Sequence, residues 1–150
     1  MEQINEWQNW LLNNPIYFGI FFVVIWLLVS FTFSKITGWS RLAEKYRTST
    51  KPESKLMQAV QVYWGSVLMA GNIYTLGSNS KGMFLGVLFP FRAGHPPLLI
   101  PWYDIKAKKV DRLFMPRVQL TFGRGLSRPF EINERVAKKL KEGSNGQFNY

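Results

Sequence analysis

The sequence predicts a membrane-anchored α+β protein: one N-terminal transmembrane helix, then a mainly β domain that closes on a single helix. Three observations carry this. Residues 16–33 contain no charge. Beyond Leu56 the chain breaks into short runs of Val, Leu, Phe, Tyr and Trp punctuated by glycine and proline, the pattern of antiparallel strands. From Asn133 the apolar residues switch to helical spacing.

The anchor comes first. The run IYFGIFFVVIWLLVSFTF is 18 residues long, and extending it to Ile36 adds only Ser34 and Lys35. At about 1.5 Å per residue it covers roughly the 30 Å hydrocarbon core of a bilayer. A core helix of a soluble domain would need a polar face, and here only Gly19, Ser30 and Thr32 interrupt the apolar surface. A cleavable signal peptide would want a basic start and a small-residue cleavage site; the first residues instead offer Glu2 and Glu6 and no base. Residues 16–36 are therefore read as a transmembrane helix and 1–15 as an extracytoplasmic N-terminus.

Charge orients the span. The chain has 19 Lys plus Arg against 9 Asp plus Glu, net +10; residues 1–34 hold two acids and no base, which leaves +12 on 35–150. Six bases, Lys35, Arg41, Lys45, Arg47, Lys51 and Lys55, follow the span directly. Basic flanks stay on the cytoplasmic side, so the N-terminus is expected outside and the rest inside, on the inner (plasma) membrane. Trp7, Trp10 and Trp39 are expected at headgroup level.

Residues 37–55 read as a basic juxtamembrane linker. Ser40 would cap a short surface-lying helix ending at Arg47, with Trp39, Leu42, Ala43 and Tyr46 on one side. Residues 48–54 turn polar around Pro52 and are expected to be flexible. The β domain spans 56–143, with candidate strands at 60–70, 73–76, 83–91, 98–102, 105–110, 117–122 and 129–132. In 117–122, Val118, Leu120 and Phe122 alternate with Arg117, Gln119 and Thr121, so one face is wet. Turns are expected at Gly71-Asn72, across Gly77 to Gly82, at Ala93-Gly94-His95 and at Gly123-Arg124-Gly125. Asn133 would cap a helix over 134–142, with Val136, Ala137 and Leu140 as its apolar stripe and Gly143 at C′. Residues 144–150 read as a flexible tail.

Chemistry is sparsely represented. Cysteine is absent and His95 is the single histidine, so no ordinary zinc site can be assembled, and no metal or cofactor is expected. Gly77 and Gly82 stand at P-loop spacing, but Met83 and Phe84 replace the Lys and Ser/Thr that would hold phosphate and magnesium. Asp104 and Asp111 are surrounded by bases, which suggests ion pairs rather than an acid/base couple. No nucleophile, base and oxyanion set emerges, so no catalytic residue is assigned. The alternative is a membrane-tethered enzyme whose site is built around His95 and the Arg92 turn. A basic cluster, Lys106, Lys108, Lys109, Arg112 and Arg117, is the candidate binding surface for anionic lipid headgroups or a protein partner. Nucleic acid is the less favoured partner, because no RRM, KH or helix-turn-helix signature accompanies the charge.

About seven strands followed by one amphipathic helix is the element order of a pleckstrin-homology (PH)-like barrel, in which the helix plugs one end of a bent sheet. The run Ile100-Pro101-Trp102-Tyr103-Asp104-Ile105 resembles the I-P-x-x-D-I strand and turn of GRAM-like and bacterial PH-like modules. The apolar span, the Gly38-Trp39-Ser40-Arg41-Leu42-Ala43-Glu44-Lys45-Tyr46 segment and Phe91-Arg92-Ala93-Gly94-His95-Pro96-Pro97-Leu98 together resemble a family of uncharacterised bacterial single-pass membrane proteins. The PH-like resemblance implies a bent antiparallel sheet or barrel with a C-terminal helix over about 56–143. Neither resemblance implies an activity. The expected function is a membrane-anchored, non-catalytic binding or scaffolding module.

Overall fold

The computed structural model describes residues 2–50, 56–64, 71–112 and 115–150. Two helices open the chain, α1 (Glu2–Asn13) and α2 (Pro15–Thr37). Pro15 sits in the first turn of α2, where its missing N–H costs nothing, and this places the break between the helices at Asn14. The Asn14 side chain donates to the Trp10 carbonyl at 2.7 Å, tying the two helices. With 23 residues and a mean hydropathy of 2.4, α2 is long and apolar enough to cross a bilayer. Its single charge is Lys35, in the last turn.

A seven-stranded, curled antiparallel sheet follows, in the order β4-β3-β2-β1-β7-β6-β5. Its strands are β1 (Met57–Trp64), β2 (Gly71–Ser78), β3 (Gly82–Val87), β4 (Leu98–Pro101), β5 (Ile105–Arg112), β6 (Met115–Phe122) and β7 (Phe130–Asn133), and α4 (Glu134–Gly143) ends it. On β6 the expected alternation holds: Val118, Leu120 and Phe122 are buried against the core. Phe130 joins them, with ring centroids 4.8 Å from Trp64 and 5.5 Å from Phe122. Helix α4 lays Ala137 and Leu140 on β2, β6 and β7, and Asn133 Oδ1 caps it by accepting the Arg135 N–H at 2.9 Å.

Several expectations are corrected. Gly71-Asn72 opens β2 instead of forming a turn. β3 stops at Val87 rather than running to Phe91; Pro90 has no N–H to give a ladder, so the chain leaves the sheet. The second half of the expected 60–70 strand, residues 65–70, and the expected linker residues 51–55 lie outside the described residues. Ser144, not Gly143, caps α4: its hydroxyl donates to the Lys141 carbonyl at 2.7 Å and accepts the Phe148 N–H at 3.1 Å. The expected flexible tail packs down, with Phe148 only 3% exposed and its ring centroid 5.2 Å from that of Trp102.

The largest correction concerns residues 37–50. Helix α3 (Trp39–Tyr46) begins one residue after α2 ends and is not a surface helix: Trp39, Leu42 and Tyr46 are core residues of the β domain. Ser40 does not cap it. Gly38 makes the corner at φ 84°, a left-handed conformation that glycine adopts without penalty. A Cβ there would also meet the Leu126 carbonyl oxygen at 2.7 Å, so the corner excludes side chains twice over.

Candidate membrane-contact site

Two loops of the β domain grip the end of α2. The first, residues 88–97 between β3 and β4, lies along the helix. Ser30 Oγ donates to the Ala93 carbonyl, Ser34 Oγ to the Gly94 carbonyl at 2.5 Å, and Trp39 Nε1 to the Pro96 carbonyl at 3.0 Å. Further up, the Phe91 and Trp26 ring centroids are 4.9 Å apart. Ser30 and Ser34 are one turn apart, so they share a face, and they are buried while most of α2 is exposed. Gly94 has φ 74°, and a Cβ there would come within 3.0 Å of Phe31. The second loop, residues 123–129 between β6 and β7, contributes the Arg128 N–H, which donates to the Thr37 carbonyl at 3.2 Å.

Between α2 and the sheet lies a cavity of about 290 Å³, walled by Trp26, Ser30 and Phe33 on the helix side and by Tyr74, Phe91 and His95 on the other. Its titratable walls are held neutral near pH 7. Burial pushes the Tyr74 phenol up to about 12. Burial likewise pushes His95 below the ordinary histidine value, outweighing its backbone hydrogen bonds. His95 Nδ1 lies 3.0 Å from the Ala93 carbonyl, and its ring meets Trp39 edge-on at 5.2 Å. A neutral imidazole bonded to backbone and set edge-on against a core indole positions the loop; it offers no charge to a phosphate. Among the described residues no group of three or more His, Asp or Glu could hold a metal ion.

The five predicted basic residues do not form one free face. Lys109 shares the core side of β5 with Ile105 and Ala107; its ammonium is 3.4 Å from Glu134 and 5.4 Å from the Tyr150 ring centroid. Arg112 and Arg117 converge on the buried Glu131, at 2.9 and 3.5 Å, and Gln119 adds a third donor at 3.3 Å. The Arg117 guanidinium also stacks 3.7 Å over the Tyr63 ring. Only Lys106 and Lys108 are exposed with no ion pair among the described residues. Asp104 is likewise engaged: it accepts from Tyr46 at 2.8 Å and from Lys45 at 3.0 Å, tying α3 to the turn between β4 and β5. Those two contacts, Tyr46 first, hold its carboxyl below the usual aspartate range.

Other exposed bases lie on the elements that meet at α2: Lys35 on the helix, Arg92 in the first loop, Arg124 and Arg128 in the second. Sequence reading used Lys35 only for topology and Arg92 only for the alternative His95 site, because only folding brings the 88–97 and 123–129 loops onto α2. Ser30 and Ser34 did leave a signal, two hydroxyls one turn apart in an apolar helix. No protein-family model matches the chain, and no curated protein matches it.

Proposed function

We propose that this is a membrane-anchored, non-catalytic binding module: α2 spans the bilayer with the N-terminus outside, and the β domain is seated on the cytoplasmic leaflet. The observation that carries the reading is the grip of two domain loops on the last turns of α2. It argues for a retained anchor over a cleaved signal, since cleavage beyond the apolar run would strip Ser30, Ser34 and Thr37 from their partners. It also brings Lys35 and the loop carrying Arg124 and Arg128 to the height where the helix meets headgroups. Each base near an anionic surface is worth about 1 kcal/mol, so three of them hold the domain face down. The curled seven-stranded sheet with its terminal helix supports a PH-like module. The burial and backbone bonding of His95 favour a binding role over a tethered enzyme.

Hydrogen exchange on the full chain in nanodiscs tests this. Amides of residues 124–128 should exchange more slowly in anionic than in zwitterionic discs, and the difference should fade with salt because screening acts over about 8 Å at physiological ionic strength. Equal exchange in both lipids removes headgroups from the account and leaves a protein partner as the ligand.

A further inference from the structure

We infer that the β3–β4 loop is a second membrane contact, entering the acyl-chain region of the domain-side leaflet with Phe89 and Pro90 at its tip. The inference rests on the reading of α2 as a spanning helix.

Depth is the first argument. The loop climbs α2 from its C-terminal end: Gly94 is bonded at Ser34, Ala93 at Ser30, and Phe91 packs at Trp26. At 1.5 Å per residue, Trp26 lies about 13 Å beyond Lys35, the helix's first charge from that end. That is nearly half of a hydrocarbon core about 30 Å thick.

Hydrogen bonding is the second. Non-helical backbone at that depth is tolerated where the protein satisfies its polar groups, and four of the loop's carbonyls are met from within the protein. Here the Ala93 and Gly94 carbonyls take serine hydroxyls from α2. The Leu88 carbonyl takes the Phe91 N–H at 2.8 Å, and the Arg92 carbonyl takes the His95 N–H at 2.9 Å. Pro90 has no N–H to satisfy. The two serines in an otherwise apolar span thus acquire a purpose, which is to let backbone lie against the helix away from water.

Composition is the third. Phe89 is 84% exposed and Pro90 is exposed beside it, an apolar tip on a loop that runs up the apolar helix. The loop's single charge, Arg92, bonds through Nε to the Val87 carbonyl at 3.1 Å, and a side chain of that length can lay its stem along apolar surface while its head reaches polar surroundings.

The chain has no cysteine, so single-site spin labelling is clean. Labels at Phe89→Cys and Pro90→Cys, in the full chain in nanodiscs, are compared with Val23→Cys in mid-span and Ser80→Cys on the exposed β2–β3 turn. Collision with oxygen, which partitions into acyl chains, and with a water-soluble nickel chelate reports depth. The labels at 89 and 90 should resemble that at 23, with oxygen accessibility exceeding nickel accessibility several-fold, while 80 shows the reverse. If 23 reads as lipid and 89 and 90 read like 80, loop insertion is overturned and the anchor stands. If 23 also reads as water, both fall.

Discussion

Arg117→Ala separates a structural from a ligand-binding reading of the basic β5–β6 hairpin. The side chain is 19% exposed, its Nη1 lies 3.5 Å from the nearly inaccessible Glu131 carboxylate, and its guanidinium stacks 3.7 Å over Tyr63. The stack contributes about 1 kcal/mol in a partly desolvated setting. The charged hydrogen bond adds about 1.5 kcal/mol, at the low end for its class because of its length. Glu131 is not orphaned by the change, because Arg112 at 2.9 Å and Gln119 at 3.3 Å remain. The expected loss is therefore about 2.5 kcal/mol, below the 3–5 of an abandoned buried charge. For a domain of roughly 100 residues that lowers Tm by about 10 °C. Lys108→Ala, exposed and without an ion pair among the described residues, should stay within about 0.5 kcal/mol. Tryptophan fluorescence of the full chain in nanodiscs, followed through thermal unfolding of the domain, reads both. Equal melting of the two variants would refute the structural role of Arg117 and return it to the pool of free surface bases.

Other outcomes follow from the same contacts. Gly38→Val should cost several kcal/mol, since it strains a left-handed corner and drives a side chain into the 126–127 backbone; a normally melting variant would mean the α2–α3 joint is not packed this way. Asp104 has a lowered folded-state pKa, so its contribution is present above the ordinary value of about 3.8 and is lost as pH falls through the lower, folded value. The Tm gap between wild type and Asp104→Asn should accordingly be widest near neutrality and close in strong acid, and a gap independent of pH would contradict the Tyr46 and Lys45 contacts. Phe148→Ala removes a ring packed on Trp102 and should destabilise by about 3 kcal/mol, whereas a fraying tail would lose nothing. For topology, Gln8→Cys should react with an impermeant thiol reagent from outside and Glu142→Cys should not; the reverse pattern would invert the orientation.

What the sequence made legible was local. A charge-free run, a two-residue alternation at 117–122 and an N-cap at Asn133 each declare themselves within one element, and each is present as a helix, a strand and a cap. What stayed hidden depends on partners far along the chain. The stripe of Trp39, Leu42 and Tyr46 suits a membrane surface as well as a protein core, and only residues some 60 positions away, Pro96 and Asp104, choose the core. Glu131 sits on the outward, normally wet side of β7, yet Arg112, Arg117 and Gln119 from two neighbouring strands cover it, so its burial is a property of register rather than of hydrophobic pattern.

The misplaced linker matters most for function. A flexible tether would leave the β domain to search, and a weak surface contact would then gain from a high effective concentration. The joint seen here removes that search. Helix α3 starts one residue after α2, Gly38 admits no side chain, and hydrogen bonds from Ser30, Ser34 and Arg128 fix the domain against the last turns of α2. If α2 spans a bilayer, the same loops then face the lipid in every molecule, and the height of Arg124 and Arg128 is set by where α2 stops. Weak individual contacts suffice under that geometry, because their ordering entropy has already been lost when the domain folds against its own anchor. Ser30→Val with Ser34→Val tests the consequence: with the loop unpinned, the exchange difference between anionic and zwitterionic discs at 124–128 should shrink even though no base has been altered. An unchanged difference would mean that charge alone seats the domain and that the joint contributes nothing to it.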